Sequence, residues 1–459
     1  MTKKIALFAL VAVGVFCSCS QSSDLVNDLP TPSEKQKVEE KTSISFDTYN
    51  AKSAIVRSSR AGYAGDMTTA MLQKEGFGVI AYYTGSANYS AWTKEAPNFM
   101  YNTKVSIAGA DGTSPSSDPW TYSPTVYWPN GNATADNVGA VGTGGGKLSF
   151  FAYAPYTAVT PSTGVATGDA TTGIKGLTNN SSTSAPSVSY SLNGGVDLLW
   201  GTAGTNGATV NDAAQAGTTL TGGKAPVNVD LTKMKTNGKV SFLFKHALAR
   251  IGSINVLADI DNDGAATGGT LSETTKIYVE SVTIQNGLTT GESPVSTLIG
   301  DGTLDLTTGV WTPGSNKFTL SKSISGESLN SAIRVASTTP EAVGTKTWEQ
   351  IFTTEGVKTT PTSIFSSVSP IMLIPGADQN IRVSISYYVT SKDANLSRGY
   401  TWIPQTVSKT ISLGALEQNK NYELVLHLGM DDINFTASVS EWDNAASSSV
   451  DLPVNVVGE

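Results

Sequence analysis

Short runs alternating apolar and polar residues recur from residue 43 to residue 439, separated by Gly, Ser, Thr and Asn clusters, with no helical pattern of comparable length between them. Side chains on a strand face opposite ways with period two, so each such run can bury one face and wet the other. Ser43-Ile44-Ser45-Phe46-Asp47-Thr48-Tyr49 is a clear case, and residues 77–83 and 147–153 are short aromatic-rich runs of the same kind. Further strands are expected at 239–244, 251–257, 276–284, 381–389, 422–428 and 434–439, and the longest polar cluster covers 157–187. Many short strands joined by polar loops point to an all-β chain of packed β-sandwiches. No repeat of 20 to 50 residues is evident, which disfavours a solenoid or propeller. The 459 residues suffice for two or three cores, and a division is expected near Asn237-Gly238, giving sandwiches at 61–238 and 239–459.

Both cysteines, Cys17 and Cys19, lie behind an N-terminal segment that carries Lys3 and Lys4 and then an apolar run over residues 5–16. Twelve residues are too few to cross a bilayer as a helix, which takes about 20, so residues 1–18 read as a signal peptide. Phe16-Cys17-Ser18-Cys19 resembles a lipobox. Small Ser18 precedes Cys19 whereas bulky Phe16 precedes Cys17, so Cys19 is the expected lipid acceptor. No cysteine remains in the body to staple the fold. Residues 20–41 are rich in Ser, Pro, Glu, Lys and Asp and read as a tether, part of a 19–60 segment that includes a removable strand.

The chain carries 30 Lys and Arg against 38 Asp and Glu, a net charge of −8, which excludes a nucleic-acid polyanion as the expected partner. Gly142-Thr143-Gly144-Gly145-Gly146-Lys147 only superficially resembles a phosphate loop. Val141 stands where that motif needs Gly, Leu148 replaces Ser or Thr, and a strand follows instead of a helix. Asp259, Asp261 and Asp263 before Gly264 match the first half of a calcium loop, but Thr270 stands where a bidentate Glu is expected, so an acidic hairpin loop is the favoured reading. The two histidines, His246 and His427, sit in apolar runs and read as hydrogen-bonded packing residues; no G-x-S-x-G or H-E-x-x-H pattern is present. No cofactor and no catalytic residue is expected. Trp120, Tyr122, Tyr127 and Trp128 form an aromatic cluster that suits either a sugar platform or the cover of a sandwich core, with the core favoured.

The two ends read as a pair. Ile44, Phe46 and Thr48 form an alternating strand, followed by Arg57-Ser58-Ser59-Arg60-Ala61-Gly62, where an Arg-specific protease would find small neighbours. At the other end Leu452, Val454 and Val456 alternate around Pro453, behind a polar linker after Trp442. A cut after Arg60 would let the first strand leave a groove that a neighbour's tail fills by β-augmentation. Such a contact is head-to-tail and builds filaments. A pair of ordinary edge strands is the plainer alternative.

With the lipobox at Cys19, Ser59-Arg60-Ala61, the 77–83 strand followed by Asn98-Phe99-Met100-Tyr101-Asn102, residues 120–129, Leu198-Leu199-Trp200 and residues 422–429 closing at Trp442, the chain resembles the fimbrillin family of bacterial lipoprotein pilins. The resemblance implies two tandem transthyretin-like β-sandwich domains after a signal peptide and flexible tether. It implies export by the lipoprotein-processing machinery, lipidation of Cys19 and residence at the outer membrane as a precursor. It further implies cleavage between Arg60 and Ala61, with Arg57 as an alternative, and donor-strand polymerisation with other pilin subunits into fimbriae for adhesion, with a host or microbial surface ligand as a further expected partner. The runner-up is a non-polymerising outer-surface glycan-binding lipoprotein that uses the aromatic cluster.

Overall fold

The nine expected strands all form, and they show why their sequences were readable. β2 (Phe77–Gly85), β4 (Lys147–Ala154) and β9 (Lys239–His246) are nearly continuous apolar runs because they are covered on both faces. Along β4, Leu148, Phe150 and Ala152 enter one core while Phe151 and Tyr153 enter another. By contrast β17 (Asn380–Ser391) buries every second residue along most of its length, as a strand wet on one side must. The computed structural model describes residues 42–50, 67–129, 146–167, 172–192, 196–203, 227–236, 238–259, 272–286, 297–335, 348–367, 370–376, 379–429, 433–441 and 450–451.

The first sheet runs in the order β1 (Ser45–Asn50), β9, β7 (Leu199–Ala203), β4, β2, β3 (Met100–Val105), with β8 (Asn228–Leu231) also on β4. One face packs on a small sheet ordered β13 (Trp311–Pro313), β12 (Asp301–Asp305), β6 (Ser187–Ser191), β5 (Ile174–Leu177). Tyr153, Trp200, Tyr190, Leu304 and Leu306 meet there. The other face is covered by the irregular segment 120–128 and by α1 (Thr69–Glu75), through Met67, Leu72 and Trp128. This helix is absent from the sequence reading because seven residues give too little periodicity. Its start is marked by the Thr68 hydroxyl, which accepts from the Met71 amide at 3.2 Å. Its end is marked by Gly76 at φ +75°, where a Cβ would meet the Val105 carbonyl at 2.6 Å.

The second half forms a two-sheet sandwich. β10 (Ala249–Ala258) pairs parallel with β19 (Lys420–Leu428), which pairs with β20 (Ile433–Glu441) and it in turn with β21 (Val450–Asp451), while β15 (Thr362–Ser363) and β16 (Ile371–Leu373) lie on the other side of β10. The facing sheet is β14 (Ser321–Ser325), β11 (Thr275–Asn286), β17, β18 (Ile403–Ser412). Their shared core includes Val256, Leu424, Leu426, Ile277, Val383 and Ile385.

The expected division at 238 is not where the sheets divide. β9 begins at Lys239 yet hydrogen-bonds within the first sheet, between β1 and β7. Beyond it β12 returns to pair with β6, which lies more than 100 residues earlier in the chain, from Asp301 opposite Ser191 to Asp305 opposite Ser187. Residues Lys41–Glu459 accordingly form one compact unit. A local reading of composition cannot see a long-range return of this kind.

Candidate functional site

β1 is an edge strand of a special sort. It runs parallel to β9, from Ser45 opposite Lys239 to Asn50 opposite Phe244. On its other side residues 42–44 meet residues 126–128: the Trp128 amide donates to the Thr42 carbonyl and the Ile44 amide to the Val126 carbonyl, each at 3.0 Å. The leading segment is therefore clasped between a regular strand and an irregular one. Ile44 and Phe46 point inward at 2% and 4% exposure, while Ser43 and Ser45 face out.

Phe46 is the deeper anchor. Its ring lies 5.3 Å from Tyr122, 6.1 Å from Phe150 and 6.2 Å from both Phe77 and Phe242, edge-on to the first three and stacked at 19° on Phe242. The Tyr122 hydroxyl donates to the Ile44 carbonyl at 2.8 Å. The Gly238 carbonyl, at the turn into β9, accepts from the Ser45 amide at 3.2 Å and from Trp128 Nε1 at 3.0 Å. Gly238 holds φ +78°, and a Cβ there would press Thr42 Cγ2 at 3.1 Å. Fully burying side chains of this size stabilises by about 1.5–3 kcal/mol each. A break in the chain behind β1 therefore leaves a well-held strand.

Two buried carboxylate–imidazole pairs lie outside this groove. Asp197 Oδ2 is 2.5 Å from His246 Nδ1 and also accepts from the Met67 amide at 3.0 Å. Asp259 Oδ2 is 3.1 Å from His427 Nδ1, and His427 Nε2 is 3.2 Å from Thr436 Oγ1. The second line superficially resembles an acid–base–nucleophile trio. It joins the end of β10 to β19 and β20, so the carboxylate, imidazole and hydroxyl tie three neighbouring strands together. Both histidines are buried cross-links, as expected from their apolar runs.

No protein-family model matches the chain. Over 230 residues, 49% of its length, it is 27% identical to fimbrium subunit Fim1C of Phocaeicola vulgatus (strain ATCC 8482), and the match spans 45% of that relative, less than half of it. A crystal structure of a fimbrial protein from Bacteroides vulgatus ATCC 8482 superposes with a TM-score of 0.56, covering 88% of this chain and 100% of that one at 21% identity, which shows a shared fold. The chain is similar to a fimbrium subunit over about half its length and shares the fold of a fimbrial protein.

The site residues expected from sequence fall in different places. Cys19, Arg60, Ala61 and the tail positions Leu452, Val454 and Val456 lie outside the described residues, as do Asp261 and Asp263. Asp259, the described one of the three, is fully buried with its Oδ2 on His427 Nδ1. Among the described residues no group of three or more His, Cys, Asp or Glu could hold a metal. The aromatic cluster goes to the core. Trp128 is 3% exposed, and Trp120 and Tyr122 pack edge-on against Phe77 and Phe46. Tyr127 alone of the four is exposed, at 47%. The sequence reading missed that this segment walls in the leading strand. The signal was present as alternation, Val126 and Trp128 inward with Tyr127 outward.

Proposed function

We propose that this chain is a structural or adhesive subunit of a cell-surface fimbria, without catalysis. It is exported as a lipoprotein on Cys19, cut between Arg60 and Ala61, and joined to its neighbours by donor-strand exchange. The observation that supports this most directly is the seating of β1: an eight-residue stretch, residues 43–50, that completes the first core yet is joined to the rest through residues 51–66, which contain Arg57 and Arg60. Removing it would open a groove with two inward pockets and unpaired backbone on both walls, the surface that β-augmentation fills. The alternation of Leu452, Val454 and Val456 in the sequence supports the donor role, and it follows directly on Val450 and Asp451, which pair opposite Val439 and Ser438 on β20. The aromatic cluster gives the sugar-platform alternative little surface, since Trp120, Tyr122 and Trp128 serve the core.

The test is the mass and size of surface-released protein. An N-terminus at Ala61 in high-molecular-mass polymers, lost on deletion of residues 450–459, is the expected result. A lipidated, full-length monomer unaffected by that deletion would overturn the proposal.

A further inference from the structure

Granting the strand exchange proposed above, the shape of the groove also says who donates. Its two pockets differ. The one under Ile44 takes a branched aliphatic side chain; the one under Phe46 is built from four aromatic rings, those of Phe77, Tyr122, Phe150 and Phe242, that contact a fifth. A smaller side chain there leaves a void that the rings, fixed on strands and in a buried wall, cannot close.

The chain's own tail has nothing to put there. Residues 443–459 contain no aromatic. With Leu452 at the Ile44 position, Val454 falls in the ring pocket and Pro453 replaces Ser45, whose amide donates to the Gly238 carbonyl. Moving two residues along places Val456 in the ring pocket; moving two back places Leu452 there and sets Pro453 in the ladder opposite Ser241. No register with the alternating face inward supplies a ring. We infer that the groove of this subunit is filled by a strand from a different subunit, one that carries an aromatic residue two positions after a branched aliphatic one. The neighbour on that side is then a hetero-partner, and a run of identical copies is disfavoured at this joint.

The experiment uses the full chain with a site-specific protease sequence in place of residues 57–60 and a fluorophore on the leading fragment. After cutting, unlabelled peptides compete for the groove. The probes are residues 42–50, the same peptide with Phe46→Val, the tail 450–459, and that tail with Leu452→Phe, Val454→Phe or Val456→Phe. The expected result is that Phe46→Val weakens competition at least tenfold, and that at least one Phe-bearing tail competes at least tenfold better than the natural tail. If the natural tail competes as well as every Phe variant, the joint accepts copies of this chain and the inference is overturned, while strand exchange stands. If no peptide, including residues 42–50, displaces the fragment at any concentration, strand exchange itself fails and the inference falls with it.

Discussion

At the scale of single residues, two positions separate a seated strand from a stable core. Phe46→Ala deletes a ring that touches four others, a change that costs about 3–5 kcal/mol in a core. Because β1 is at a sheet edge, the chain can open there without unfolding. The expected outcome is faster amide exchange confined to residues 43–47 and their partners, with a smaller fall in the global unfolding midpoint. Asp197 acts at the other extreme. It is fully buried and satisfies both His246 Nδ1 and the Met67 amide. Asp197→Ala removes the buried acceptor that these two groups share and is expected to cost about 3–5 kcal/mol, read as a lower urea midpoint with an unchanged slope. Asp197→Asn keeps an acceptor oxygen and is expected to recover a large part of that loss. The His pairing partners were invisible in sequence because Asp197 lies 49 residues before His246, and Asp259 lies 168 before His427.

At the scale of elements, β1 illustrates how far a strand can be read before its neighbours are known. Its alternation was plain, and so was that of β17, because half-buried strands show period two. β5 and β6 were hidden inside the polar cluster 157–187 and just beyond it. Their outward positions are the exposed Lys175 and the half-buried Ser187, Ser189 and Ser191, and their few inward apolar residues, Ile174, Leu177, Val188 and Tyr190, mean little until β12 and β4 supply the opposing face. The groove was half legible for the same reason: its occupant alternates, but its second wall is an irregular stretch with Pro124 and Pro129, which reads as a loop. The clasp carries its own prediction. Two buried side chains contribute about 3–6 kcal/mol to seating, and backbone bonds on both sides add to this. Cleavage between residues 51 and 66 is therefore expected to leave the fragment bound, with both pieces co-eluting in size-exclusion chromatography in buffer and separating only in denaturant. Spontaneous release on cutting would show that the contacts at Ile44 and Phe46 are weaker than their burial implies. A strand that stays until it is displaced favours exchange through a joint intermediate over release followed by capture, since an emptied groove would expose unpaired edge groups to any passing chain.

At the scale of the whole molecule, the return of β12 and β13 decides what can fold alone. Trp200, on β7 of the first sheet, is almost fully buried, and its Nε1 donates to the Leu306 carbonyl at 2.9 Å. Trp311 Nε1 donates to the Ala247 carbonyl at 2.7 Å, and Gly309 packs close enough to Trp200 that a Cβ would meet the ring at 2.4 Å. A chain ending at residue 248 would keep all seven strands of the first sheet yet lose the strand that covers β6, the acceptor for Trp200 and the side chains of Leu304 and Leu306. Exposing that much apolar surface, with a buried donor left unpaired, removes more stability than a domain of this size has to spare. Residues 42–248 alone are expected to bind a hydrophobic dye and to unfold without a cooperative transition, whereas residues 42–459 unfold cooperatively. Adding residues 297–320 through a short linker is expected to restore cooperative unfolding to the fragment, because those residues carry β12, β13 and Leu306. A sharp transition in residues 42–248 without them would mean that the first sheet closes its core by itself, and the two halves would then be separable bodies after all.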